Sequence, residues 1–189
     1  MAIYVTSDAH GHVRALDEAL SKISLASDDT LYVLGDMIDR GPDPVGVIKL
    51  ARSLPNAHVL KGNHEQIMLD AIIGQDPLDA ETWDINGGWT TREQLNDMEF
   101  EAYEELVRWM AGLPLYAVAE TEERPYLLVH AGIETEAARA FLLEHGVDCA
   151  DGAGATDADR ELLQQMLAVQ SSDDLLWIRH GYWDAPTGL

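Results

Sequence analysis

Four short polar stretches concentrate residues that bind hard cations or move protons. "SDAHGH" carries Asp8 and His10, "GDMIDRG" carries Asp36, Asp39 and Arg40, "GNHE" carries Asn63 and His64, and "VHAG" carries His130. The candidate metal donors are carboxylate or amide oxygens and imidazole nitrogens, with no thiolate. That set suits Mn²⁺, Fe or Zn²⁺ in a high-coordination site rather than a structural zinc. Alternation along a strand end would turn Asp8 and His10 to one side, so that both hold one ion. A second ion about 3.5 to 4 Å away would share a carboxylate, and such pairs clamp the attacking and leaving oxygens of a displacement at phosphorus. Asp36, between the two groups in the sequence, is the natural bridge.

These stretches need a scaffold, and the first half of the chain supplies one as a repeated unit of short apolar strand, polar loop and amphipathic helix. Ile3–Thr6 reads as a strand, followed by Val13, Leu16, Leu20 and Ile23 at helical spacing. Strands are expected again at 31–34 and 57–60, each followed by a helical pattern, 45–50 and 67–73. Strands alternating with helices imply an α/β layer structure with mainly parallel pairing. Ligands gather at the carboxyl ends of such strands, where the first three polar stretches sit. Residues 76–112 read as mostly helical and include "NGGWTTREQL", whose Asn-Gly-Gly marks a turn. Two strands, 116–119 and 126–129, flank "ETEERP" as a hairpin, and "VHAG" ends the second. Helices follow at 134–145 and 160–169, with the small, acidic "DGAGATDAD" between them. One domain over residues 1–189 is expected.

The charge balance is lopsided, with 34 acidic against 12 basic residues and a formal net charge of -22. It repels phosphate backbones at long range, which argues against a nucleic-acid partner. An anionic substrate must therefore be drawn in by local arginines or bound cations. The single cysteine, Cys149, is what a reducing compartment allows, and no apolar span of membrane length occurs, so a cytoplasmic protein with no membrane partner is expected.

"SDAHG", "GDMIDRG", "GNHE" and "VHAG", in that order, resemble the motifs of the phosphoprotein phosphatase family of calcineurin-like metallophosphoesterases. "NGGWTT" and "LLWIR" further resemble its small bacterial and phage lambda phosphatase type. The resemblance implies an α/β fold with two mixed β-sheets in a sandwich flanked by helices. It implies two divalent metal ions, most simply Mn²⁺, with Fe or Zn²⁺ as alternatives. Asp8, His10 and Asp36 would bind the first, and Asp36, Asn63 and His130 the second. His64, oriented by Asp39, would protonate the leaving oxygen. Arg40 would grip the substrate phosphate with its guanidinium fork, joined by Arg179 and by Asn63. The nucleophile would be a metal-bridging hydroxide, with no covalent phosphoenzyme. The activity so implied is hydrolysis of phosphate monoesters, first of all phosphoserine, phosphothreonine or phosphotyrosine in proteins. The alternatives are a symmetrical dinucleoside tetraphosphate hydrolase and a metal-poor, inactive phosphate-binding member. The partners would be phosphorylated proteins or small phosphoesters.

Two departures stand out. Ser7 replaces the usual first glycine, a small-for-small change expected to be harmless. Family members also carry a last metal-binding histidine on a strand after the "WIR" segment, whereas here Leu189 comes ten residues after Arg179 and His180 is the only late histidine. Blander roles also exist for the same residues. Asn63 and His64 could be a helix N-cap and first-turn residue, Asp39 and Arg40 a surface ion pair, and His130 a core histidine. His12, His58 and His145 are expected at the surface or behind the site, and Trp83, Trp89, Trp109, Trp177 and Trp183 in packing.

Overall fold

The computed structural model describes residues 1–74, 76–122, 124–147 and 159–178. The chain divides into two compact units, Met1–Pro114 and Leu115–Leu189.

In the first unit, β1 (Ile3–Thr6), β2 (Thr30–Val33) and β3 (Ala57–Val59) form a parallel sheet in the order β1-β2-β3. Tyr4 pairs with Leu31, and Val33 with Val59. The β2 strand alternates in burial: Leu31 and Val33 are buried while Thr30 and Tyr32 are only half so. One face of the sheet therefore meets the core, where α1 (Val13–Ile23) contributes Leu16 and α2 (Pro44–Ser53) contributes Val47, Ile48 and Ala51. Asp43 caps α2 by accepting from Gly46 N at 2.9 Å, and Pro44 occupies the first turn, where its missing N–H costs nothing.

Helix α3 spans Asn63–Ile73, so it starts a full turn before its apolar pattern, and its N-cap is Gly62 rather than Asn63. Glu65, in the first turn, accepts the Gly62 N–H at 2.8 Å. The expected helical stretch resolves into α4 (Pro77–Ile85), α5 (Trp89–Asn96) and α6 (Phe100–Ala111), with the Asn-Gly-Gly turn between the first two. The acidic "MEFEAYEEL" segment runs into α6, which buries Leu106 and Met110 and leaves its glutamates to solvent.

In the second unit, β4 (Tyr116–Glu120) and β5 (Pro125–Val129) form the expected antiparallel hairpin, with Tyr116 opposite Val129. Its core joins Val118 to Leu142 of α7 (Thr135–Glu144), Leu163 and Met166 of α8 (Arg160–Ala168) and Leu175 of α9 (Ser172–Trp177). The Ala131 N–H donates to Leu175 O at 2.9 Å, tying the segment after β5 to α9. Among the described residues no helix is long and apolar enough to cross a membrane.

Candidate active site

Beyond the strand ends, the loops of the first unit continue to run side by side. Asp8 N donates to Gly35 O, His10 N to Asp36 O at 2.9 Å and Gly11 N to Met37 O at 2.8 Å. Gly35 turns with φ +87°, and a Cβ there would lie 2.2 Å from Gly62 N, so only glycine lets the second and third loops approach. Among the described residues, the non-glycine positions with positive φ are Asp8, His10, Ser24, Asp36, Asp39 and Arg40. All but Ser24 lie in these loops, and such backbone costs about 1 to 2 kcal/mol per residue. Asp8 and His10 thus converge because both sit in left-handed backbone past the end of β1, not because of strand alternation.

The result is a compact donor cluster. His10 Nε2 lies 3.8 Å from Asp8 Oδ1 and 3.6 Å from Asp36 Oδ2, and His64 Nε2 lies 4.0 Å from Asp36 Oδ2. One ligand atom each of His10, Asp36 and His64 fall within 4.8 Å of one another. The Ser7 hydroxyl donates to the other Asp8 oxygen at 2.5 Å, so serine at this position helps to orient the carboxylate.

The tautomers follow from the partners. His10 Nδ1–H donates to Ile38 O at 2.9 Å, and His64 Nδ1–H to Asp39 Oδ2 at 2.7 Å. The Arg40 guanidinium, which can only donate, reaches His10 Nε2 at 2.9 Å and His64 Nε2 at 2.7 Å. Both Nε2 atoms are therefore acceptors in this arrangement. Burial, the largest influence, holds the His10 pKa below its ordinary 6.5 despite the opposing pull of the Ile38 carbonyl and the Asp36 charge. A neutral imidazole whose Nδ1–H is fixed by a carbonyl and whose Nε2 keeps its lone pair, here held by Arg40 with the Asp8 and Asp36 carboxylates close by, is the state that cation binding requires once the guanidinium moves off. The donor set here fits a divalent metal.

Asp39, fully buried, is no surface ion pair. Besides His64, its carboxylate accepts from Trp83 Nε1 at 3.0 Å and from the Thr91 hydroxyl at 2.6 Å. Trp83 is thus more than packing. Trp89 and Trp177 are 61% and 41% exposed, against expectation, because their helices turn them away from the cores. Glu65 is also completely buried. Its carboxylate accepts from Asp36 N, Met37 N and Gly62 N, each at 2.8 Å, and so fastens the second loop to the start of α3. Burial pushes its pKa up and the Asp36 charge adds to this, while those three N–H groups pull it down. Sequence reasoning passed over Glu65, although an acidic residue at the third position of a helix was the available signal.

The structure therefore brings together Asp8, His10, Asp36, Asp39, Arg40 and His64, with buried Asn63 next to His64 at the start of α3. Asp36 Oδ1 accepts the His64 N–H at 3.0 Å. His130 follows β5 in the second unit and is half-buried. Arg179, His180, Cys149 and Trp183 lie outside the described residues. His12, His58 and His145 are exposed, as expected.

The sequence profile of calcineurin-like phosphoesterases matches residues 1–185. The chain belongs to this family. Calcineurin-like phosphoesterases are hydrolases that use divalent metal ions, and the histidine and aspartate cluster fits that use. Two relatives are named symmetrical bis(5'-nucleosyl)-tetraphosphatase. That of Proteus mirabilis is 33% identical over 138 residues, and that of Erwinia tasmaniensis 30% over 136, each alignment covering 70% of this chain. The alignments cover 45% of those relatives, so the chain spans about half the length of the curated relatives it matches. A solved protein serine/threonine phosphatase from Saccharomyces cerevisiae shares the fold, with a TM-score of 0.53 and 18% identity, over 72% of this chain and 43% of that one.

Proposed function

We propose that the protein hydrolyses the phosphoanhydride bonds of dinucleoside polyphosphates, with symmetrical dinucleoside tetraphosphates as the leading substrates. The convergence of His10, Asp36 and His64 ligand atoms, with one arginine fork bonded to both imidazoles, carries the phosphoester chemistry. The choice of substrate leans on the two tetraphosphatases, which reverse the order expected from the sequence, where phosphoproteins came first.

In this reading Asp8, His10 and Asp36 hold one divalent cation. Asp36 and Asn63 would serve a second, and the ligand role of His130, in the second unit, stays what the family resemblance implies. Mn²⁺ is the first candidate, then Fe or Zn²⁺. Bound cations supply charge neutralisation at phosphorus and lower the pKa of water. The chain's own residues do the rest. Arg40 binds phosphate oxygens in a bidentate fork and offsets the repulsion of a chain carrying a net charge of -22, while the phosphate role that the family resemblance gives Arg179 falls outside the described residues. His64, once Arg40 has left Nε2 and that nitrogen has taken a proton from solvent, gives it to the leaving oxygen while Asp39 holds Nδ1–H. Arg40 caps that same Nε2, so engaging a phosphate frees the nitrogen that must carry the proton. The single cysteine supports a reducing, cytoplasmic setting.

Diadenosine tetraphosphate and a phosphoserine peptide, supplied in parallel with Mn²⁺, test the reading. The expected result is a kcat/KM at least about tenfold larger on the dinucleotide, with two molecules of ADP formed per turnover. A larger value on the peptide would return the phosphoprotein reading to first place. No turnover of either would favour the inactive phosphate-binding alternative.

A further inference from the structure

The site assignments leave "NGGWTT" and Trp83 without a function, yet both act on a single residue. Asp39 makes its contacts through three different groups. Its Oδ2 holds His64 Nδ1–H at 2.7 Å, and its Oδ1 accepts from Trp83 Nε1 at 3.0 Å and from the Thr91 hydroxyl at 2.6 Å. Its backbone N–H donates to Thr91 Oγ1 at 2.9 Å. One hydroxyl therefore grips both the side chain and the main chain of a residue held at φ +68°. Thr91 is fully buried and Trp83 is 3% exposed, so water cannot replace either donor at low cost.

The turn itself is shaped for this grip. A Cβ on Gly88 would lie 2.2 Å from Trp83 Cδ1, so glycine there admits the indole. The neighbouring Gly87 carbonyl accepts the Arg40 N–H at 3.1 Å. Arg92, paired with Asp84, lies 5.2 Å from the centre of the Trp83 ring and covers its face.

We propose that Trp83 and Thr91 are positioning residues for the reaction. They fix the Asp39 carboxylate, and through it the His64 ring, in the orientation from which His64 protonates the leaving oxygen. This inference rests on the reading of His64 as the proton donor. A residue that only stabilised the fold would slow all substrates alike. A residue that aims the acid matters most where the leaving oxygen is basic and must be protonated, and least where it departs unaided.

The test compares the full chain with Thr91→Val, Thr91→Ser and Trp83→Phe in Mn²⁺, on phenyl phosphate and 2,4-dinitrophenyl phosphate. The ratio of kcat on the phenyl ester to kcat on the dinitrophenyl ester is expected to fall about tenfold or more in Thr91→Val and Trp83→Phe. Thr91→Ser should restore the ratio to within about threefold, because it keeps the hydroxyl. A ratio unchanged in both variants, whatever the absolute loss, would overturn the proposal. A second arm needs no turnover. In ¹H–¹⁵N spectra of the metal-free protein, the Trp83 indole N–H signal, identified by its loss in Trp83→Phe, should move in Asp39→Asn. The His64 Nδ1–H signal should broaden through faster exchange in Thr91→Val. An indole signal indifferent to Asp39→Asn would refute the clamp itself. If wild type cleaves neither these esters nor diadenosine tetraphosphate, the hydrolase reading has failed, and the spectra still decide whether the clamp exists.

Discussion

Arg40 and His64 are joined by a 2.7 Å hydrogen bond from Nη2 to Nε2, while the same guanidinium reaches His10 Nε2 at 2.9 Å. A single side chain thus occupies the lone pairs of two imidazoles, and a phosphate must compete for it.

Arg40→Lys should expose that competition. An ammonium cannot span two nitrogens or bind phosphate in two places, so KM and the inhibition constant for inorganic phosphate should both rise about tenfold. Steady-state kinetics with phosphate as inhibitor checks this. If neither constant moves, Arg40 does not bind substrate.

Asp36→Asn should be more damaging. Asp36 Oδ2 faces both histidines, and its Oδ1 accepts the His64 N–H. Removing the charge should weaken Mn²⁺ binding by at least about a hundredfold and abolish turnover. Calorimetric titration with Mn²⁺ reads the first effect independently of the second. Wild-type affinity in the variant would rule out a ligand role for Asp36.

Glu65→Gln should chiefly affect stability. The amide offers one acceptor oxygen where three backbone N–H groups now meet a carboxylate, and its own NH₂ would face donors. A loss of about 2 to 4 kcal/mol is expected, read from the urea midpoint at unchanged slope. A loss below about 0.5 kcal/mol would mean that the loop is fastened by something else.

Asp29 gives a pH dependence of known sign. Its carboxylate accepts from Ala2 N at 2.6 Å and Ala26 N at 3.1 Å, pinning the start of β1. These bonds, that to Ala2 first, lower its pKa from the ordinary 3.8. The ionised form is favoured in the folded state. Its stabilising effect is thus present above the ordinary value and lost as pH falls through the lower folded one. Wild type should be more stable than Asp29→Asn near neutral pH, and the gap should narrow as the pH falls below the ordinary 3.8. A gap that persists unchanged into acid would contradict the assignment.

Much of this was legible in the sequence because it is local. The strands at 3–6, 31–34 and 57–60 announce themselves as apolar runs broken by glycine or charge, and they fall within a residue of β1, β2 and β3. What stayed hidden depends on distance or on backbone sign. Trp83 and Thr91 meet Asp39 across 44 and 52 residues, and no pattern around either points to a carboxylate. The convergence of Asp8 and His10 needs positive φ at residues that rarely adopt it, which side-chain type does not reveal. The alternative role of Asn63 as helix N-cap falls to Gly62, one position earlier, which serves without a side chain of its own.

The left-handed residues of the site loops set folding and chemistry against each other. At Asp8, His10, Asp36, Asp39 and Arg40, relief of strain alone favours glycine, while the reaction demands the side chain present. A library selected only for thermal tolerance should drift toward glycine at these positions, losing activity as it gains robustness. Positions where that drift occurs would trace the outline of the site without any substrate in hand.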